Sequence, residues 1–232
     1  MRLANFSIQE QHGTVNDQAQ PIRIAPRWPV AITALAVLFL LTVLPWRIRV
    51  FPIWVSYIGV IALIVPMAAI KLTTAKARWL RVERATTLLF CAIAEAATVA
   101  ALTRLLGAMV RGKGEIGGNQ LLTSSVAAWV MNVLTFSLLY WQIDRGGPAS
   151  LVNDTKKDWL FPQEGVRENG ALNWRATFVD YLYLAFSTAT AFSSTDVLPL
   201  TSRAKMLMML ESAISLVTTV AVASRAINIL GT

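Results

Sequence analysis

Blocks of about 20 consecutive apolar residues constrain this chain more than any other feature. A block of that length crosses a hydrocarbon core of about 30 Å as a helix, because in lipid a spanning segment must satisfy its own backbone polar groups. Such blocks cover 28–46, 51–70, 85–110, 121–143 and 201–230. Only 15% of the 232 residues are charged, against roughly 25% in soluble domains. The bilayer is therefore the solvent. The expected fold class is an all-α polytopic integral membrane protein with five spanning helices plus a re-entrant half-helix before the last.

The order of segments follows from the breaks between blocks. Residues 1–27 are a polar N-terminal tail with no signal-peptide pattern, 28–143 a four-helix membrane region, 144–176 a polar connecting loop, and 177–230 a half-helix, a loop and the last spanning helix. Trp28 and Trp46 stand about 27 Å apart on a helix, the separation of two interfacial belts. Pro66 predicts a kink, since apolar residues continue past it. The glycines around Lys113 read as a turn, lacking the spacing of a phosphate-binding loop. Within the connecting loop, Trp159-Leu160-Phe161-Pro162 is an apolar patch suited to lying on the membrane surface.

Charge sets the orientation. With an inside N-terminus, thirteen Lys and Arg of the tail, 71–84 and 144–176 are cytoplasmic, against four outside: Arg47, Arg49, Arg111 and Lys113. That asymmetry predicts a multi-pass protein of the cell (inner) membrane with a cytoplasmic N-terminus. It also accounts for the net charge of +8 without a nucleic-acid partner. One cysteine, Cys91, and one histidine, His12, exclude an internal disulfide and argue against a metal or other cofactor. No nucleophile and base stand in a recognisable spacing, so an enzyme is not expected.

The segment after the connecting loop differs from the others. It is apolar for only about 15 residues, 177–191, and then breaks into Phe192-Ser193-Ser194-Thr195-Asp196 before the last helix. Thr188-Ala189-Thr190-Ala191-Phe192-Ser193-Ser194-Thr195-Asp196-Val197-Leu198-Pro199 resembles the pore signature of the two-span potassium channel superfamily, T-x-T-T-V-G-Y-G-D-x-x-P. Thr188, Thr190, Asp196 and Pro199 fall in register with it. The stretch 177–230 is also similar to the C-terminal region of uncharacterised bacterial multi-span membrane proteins. The family's filter glycines are here Ser193 and Thr195, and its tyrosine is Ser194. Those glycines let successive carbonyls face the ion, so the filter is degenerate. What remains is a run of hydroxyls with Asp196, suited either to side-chain contact with cations or to capping the last helix together with Thr201. With an inside N-terminus this loop enters from the cytoplasm, the reverse of potassium channels and the sense of glutamate-receptor channels.

Polar residues inside the spans complete the set of candidates. Glu211, Ser215 and Thr218 form a stripe on one face of the last helix, with Arg225 beyond them. The stripe reads either as a cavity face or as packing between helices. Glu95 and Arg104 lie on opposite faces of the third span, nine residues apart, and cannot pair. Glu95 then needs a partner on another helix, with Asn132 or Arg225 as candidates, and Arg104 snorkels to the interface.

Together these residues predict a channel-like pore module conducting cations passively, with a filter-like loop of Thr188, Thr190, Phe192, Ser193, Ser194, Thr195 and Asp196 in which Thr190, Ser193, Ser194, Thr195 and Asp196 form the constriction. One such unit cannot enclose a path, so a homo-oligomer is implied, and the resemblance implies four copies. The alternative is a non-conducting scaffold or accessory subunit that retains the pore-like fold.

Overall fold

A computed structural model describes residues 28–43, 52–72, 76–110, 118–144, 157–164, 174–190 and 196–230. Among these the chain is mostly helical: α1 (Trp28–Val43), α2 (Ile53–Leu72), α3 (Lys76–Val110), α4 (Gly118–Ile143), α5 (Phe178–Ala189) and α6 (Ser202–Leu230). Two short strands, β1 (Trp159–Leu160) and β2 (Leu198–Pro199), pair antiparallel, with Trp159 opposite Pro199 and Leu160 opposite Leu198.

Among the described residues three helices are long and apolar enough to cross a membrane: Trp79–Gly107 in α3, Asn119–Ile143 in α4 and Ser202–Ser224 in α6. The apolar stretches of α1 and α2, Trp28–Leu41 and Tyr57–Pro66, are shorter. Helix α2 runs on through Pro66, as its continuing apolar sequence requires. Helix α3 begins at Lys76, earlier than the expected span. Hydropathy marks where the apolar part starts. Residues 76–84 contain neither glycine nor proline, so nothing ends the helix there.

Helix α4 is the axis of the molecule. It packs against α1, α3, α5 and α6, while α2 lies against α1 and α3. Two-thirds of the span in α4 is buried, against about a third in α3 and in α6. The distribution of residues is inverted relative to a soluble protein. Trp28, Ile32, Leu35 and Phe39 form an exposed face of α1, and Met206, Met209, Leu216 and Val220 are exposed on α6. Asn132, Thr135, Gln142, Glu211, Ser215 and Thr218 are buried. Large apolar residues outside and polar ones inside is the pattern imposed by an apolar solvent.

Hydroxyls within the helices are mostly satisfied locally. Thr87, Thr98, Thr103, Ser125 and Thr218 each donate to the carbonyl four residues back, which removes a free donor without needing a second helix.

Candidate functional site

The region singled out by sequence is built from α4, α5 and α6 with the β1–β2 pair at one end. Helix α5 has 12 residues, about 18 Å at 1.5 Å per residue, too short to span. Its first turn is fixed by Asp180, whose Oδ2 accepts from the Thr177 backbone N–H at 2.6 Å and from the Thr177 hydroxyl at 2.7 Å.

Both ends of α5 are tied to neighbouring helices. Near its start the Tyr181 hydroxyl donates to Asp144 Oδ2 at 2.5 Å, just past the end of α4. Near its finish the Thr188 carbonyl accepts from the Ser212 hydroxyl at 3.3 Å. Ser212 lies ten residues into α6, about 15 Å from its start. Helix α5 thus runs from the end of α4 to the level of the middle of α6. The chain then returns to β2, which pairs with β1.

An ionic cluster around the buried Asp158 holds the end of this unit together. Asp158, fully buried, accepts from the Thr201 hydroxyl at 2.5 Å and from Arg203 Nε at 2.6 Å, and a further bond comes from the second nitrogen of the same guanidinium. Its backbone N–H donates to Asp144 Oδ1 at 2.8 Å, and its carbonyl accepts from Leu200 N–H at 2.8 Å. Beside it Trp159 is fully buried, its ring 4.8 Å from that of Tyr140, and its indole N–H donates to Met208 Sδ at 3.3 Å. Phe161 packs edge-on against Tyr181 at 5.3 Å.

This arrangement corrects the expectation that Trp159-Leu160-Phe161-Pro162 lies on the membrane surface. Trp159 and Phe161 are core residues, and β-pairing with Leu198–Pro199 carries them inward. Sequence reasoning missed Asp144, Asp158 and Arg203. The available signal was an aspartate directly preceding a large aromatic patch in an otherwise polar loop.

The predicted filter residues divide. Thr188 is buried and donates to the Leu184 carbonyl at 2.8 Å, and Thr190 donates to Phe186 at 2.9 Å. Phe192, Ser193, Ser194 and Thr195 lie outside the described residues. Asp196 is exposed. The last helix is capped by Thr201, whose hydroxyl oxygen accepts from the Ala204 backbone N–H at 3.3 Å.

Glu211, Ser215 and Thr218 are buried. Tyr140 donates its hydroxyl to Glu211 Oε2 at 2.5 Å, and Asn132 Nδ2 donates to Ser215 Oγ at 2.7 Å and more weakly to the Glu211 carbonyl at 3.4 Å. These bonds join α6 to α4. They also correct the expected partner of Glu95, because the amide of Asn132 is spent on α6. Neither carboxylate oxygen of Glu95 has a hydrogen-bond partner among the described residues. The side chain of Arg225 is outside them.

Between α3, α4 and α6 lies an open cleft of about 820 Å³, lined by Glu95 and Arg104 of α3, Phe136 of α4 and Leu210 and Ile214 of α6. It exists because small residues of α3, Ala92, Ala96 and Ala100, face the larger side chains of α6 across it. Comparison of the chain with protein-family models, with curated proteins and with solved structures returns no match in any of the three.

Proposed function

We propose that the chain is a channel-like pore module, with five spanning helices and the re-entrant half-helix α5, that assembles as a homo-oligomer, by resemblance a tetramer, and conducts cations passively. The N-terminus is cytoplasmic and the residence is the cell (inner) membrane. The observation that carries this reading is the placement of α5. Its start is bonded to the end of α4 and its last turn to the middle of α6, so with α4 and α6 across the bilayer it descends to about half the 30 Å core. Non-helical backbone at that depth is tolerated where protein or a water-filled cavity satisfies it. The hydroxyl run and Asp196 follow that turn directly.

The test is cation flux from liposomes containing the purified chain, with potassium, sodium and protein-free controls. The wild type is expected to conduct and Asp196→Asn to change conductance or selectivity while the fold is retained. Unchanged flux in the variant would remove Asp196 from the pathway.

The second reading, a non-conducting scaffold, is favoured by the Tyr140–Glu211 and Asn132–Ser215 bonds, which use the polar stripe of α6 for packing. It predicts no flux for any cation from folded, assembled protein.

A further inference from the structure

The cleft between α3 and α6 is apolar along most of its length. Ala92, Ala96 and Val99 of α3 are exposed along it, opposite Leu207, Leu210 and Ile214 of α6. Glu95 also lines it, but both carboxylate oxygens are buried, so toward the cleft it offers its carbon stem. Cys91 and Arg104, the two ends of the α3 wall, stand 13 residues apart, about 20 Å by helical rise. That exceeds the hydrocarbon depth of one leaflet, about 15 Å.

One end of the cleft is basic. Eleven residues complete three turns of helix to within about 20°, and that interval relates three arginines to three lining residues: Arg81 to Ala92, Arg84 to Glu95 and Arg203 to Ile214. Each arginine therefore lies on the cleft side of its helix. They also share a level. Arg203 bonds Asp158, whose backbone N–H bonds Asp144, one residue past the end of α4. Helices α3 and α4, joined by a short connection and packed together, run antiparallel, and Cys91 and Phe136 both line the cleft. Seven residues back from Cys91 is Arg84, and seven on from Phe136 is Ile143, the last residue of α4. That end is 12 residues from the middle of the candidate span Asn119–Ile143, about 18 Å, just beyond half of the 30 Å core and so at headgroup level.

The arginines have capacity to spare. Arg81 is exposed and Arg84 half-buried, and neither is in an ion pair among the described residues. Arg203 spends Nε and Nη2 on Asp158 and keeps Nη1, on a side chain 56% exposed. The acid beside them in sequence, Glu83, is buried, nine residues from Ala92 and so on the opposite side of α3.

We propose that this cleft binds an anionic phospholipid, its phosphate held by Arg81, Arg84 and Nη1 of Arg203 and an acyl chain lying between α3 and α6. Guanidinium groups bind phosphate oxygens through strong charge-assisted bonds, and basic pockets between spanning helices at headgroup level suit anionic heads. Arg81 and Arg84 supply the net charge, since Arg203 is balanced by Asp158. The small side chains of Ala92, Ala96 and Ala100 leave the room that the chain fills. A second copy lying alongside in the same orientation would bring its own arginines to the same level, so like charge disfavours a helix in the cleft. The site depends neither on α5 nor on conduction.

The test is lipid binding by full-length protein in mild detergent, titrated with dioleoyl phosphatidylglycerol or dioleoyl phosphatidylcholine and followed by native mass spectrometry. The two lipids share their chains and differ in head charge. Phosphatidylglycerol is expected to bind about 25-fold more tightly, about fivefold for each of Arg81 and Arg84, the factor equivalent to about 1 kcal/mol per basic residue at a membrane surface. Arg81→Gln combined with Arg84→Gln should bring the two lipids to about equal affinity. Ala96→Phe fills the cleft at an exposed position, leaves every charge in place, and should weaken both lipids alike. Equal affinities in the wild type overturn the proposal, on protein that needs no variant to fold. So does a preference that survives loss of both arginines, and so does undiminished binding by Ala96→Phe, which would leave only a headgroup contact outside the cleft.

Discussion

Removing either partner of the Asp158–Arg203 pair breaks the same bonds, yet the two losses should differ severalfold. Asp158 is fully buried, whereas the Arg203 side chain is 56% exposed. In Arg203→Gln the buried carboxylate keeps the Thr201 hydroxyl but loses both guanidinium bonds, and it stays beside Asp144, a second buried acid. Leaving a buried charge without its partner costs about 3–5 kcal/mol. In Asp158→Asn the side-chain carbonyl still accepts from Thr201, the guanidinium is hydrated, and the repulsion from Asp144 is relieved. The loss there is about 1–2 kcal/mol, the scale of a net hydrogen bond. For a chain of this length about 1 kcal/mol moves the midpoint by roughly 2–4 °C, so Arg203→Gln should melt roughly 10 °C low and Asp158→Asn a few degrees low. Tryptophan fluorescence on heating in detergent reads this directly, since Trp159 adjoins the pair in sequence and is stacked near Tyr140. The double variant should recover part of the Arg203→Gln loss, because the stranded charge is gone. An Asp158→Asn variant as unstable as Arg203→Gln, or strictly additive losses, would refute the reasoning.

Two further substitutions probe the seams around α4. Tyr140→Phe strips the donor from Glu211 Oε2 and leaves both oxygens of a buried carboxyl unmet, so a loss of about 1–3 kcal/mol is expected in detergent-denaturant unfolding. Trp159→Ala empties the position of a fully buried indole and should cost about 3–5 kcal/mol in the same assay; a near-neutral result would mean that Trp159 is not part of the core.

The helices were legible because hydropathy is a local property: α1, α2, α4, α5 and α6 begin and end within a few residues of their expected bounds. The start of α3 was not, because the residues before its apolar part form helix by propensity without being apolar. The cluster of Asp144, Asp158, Thr201 and Arg203 was illegible for a different reason. Its members are separated by up to 59 positions and meet only through a two-residue strand pair that no periodicity announces. Of the two partners expected for Glu95, Asn132 fails because hydropathy gives a span's depth but not its rotation. Asn132 has the right depth and turns its amide toward α6. Ser215 and Glu211 were placed correctly on one face, and the choice between cavity and packing depended on α4.

The direction of α5 bears on which ions such a protein would favour. Val179, Tyr183 and Phe186, at spacings of four and three, are exposed on its outer face, while Tyr181, Leu184 and Ala185 face the core. A helix lying flat at the membrane surface would turn a polar face to water; this one is apolar on both sides, which suits lipid or a neighbouring copy at hydrocarbon depth. If it descends, its C-terminal carbonyls point toward the middle of the bilayer, carrying the negative end of the helix dipole, about half an elementary charge. Asp196 follows a short loop later, and Glu95 and Glu211 lie at mid-depth behind it. The end of α5 and Asp196 both contribute negative charge beside the loop, so any path opened through it should pass cations in preference to anions. A chloride flux exceeding that of potassium in the same liposomes would mean that these groups do not line the path.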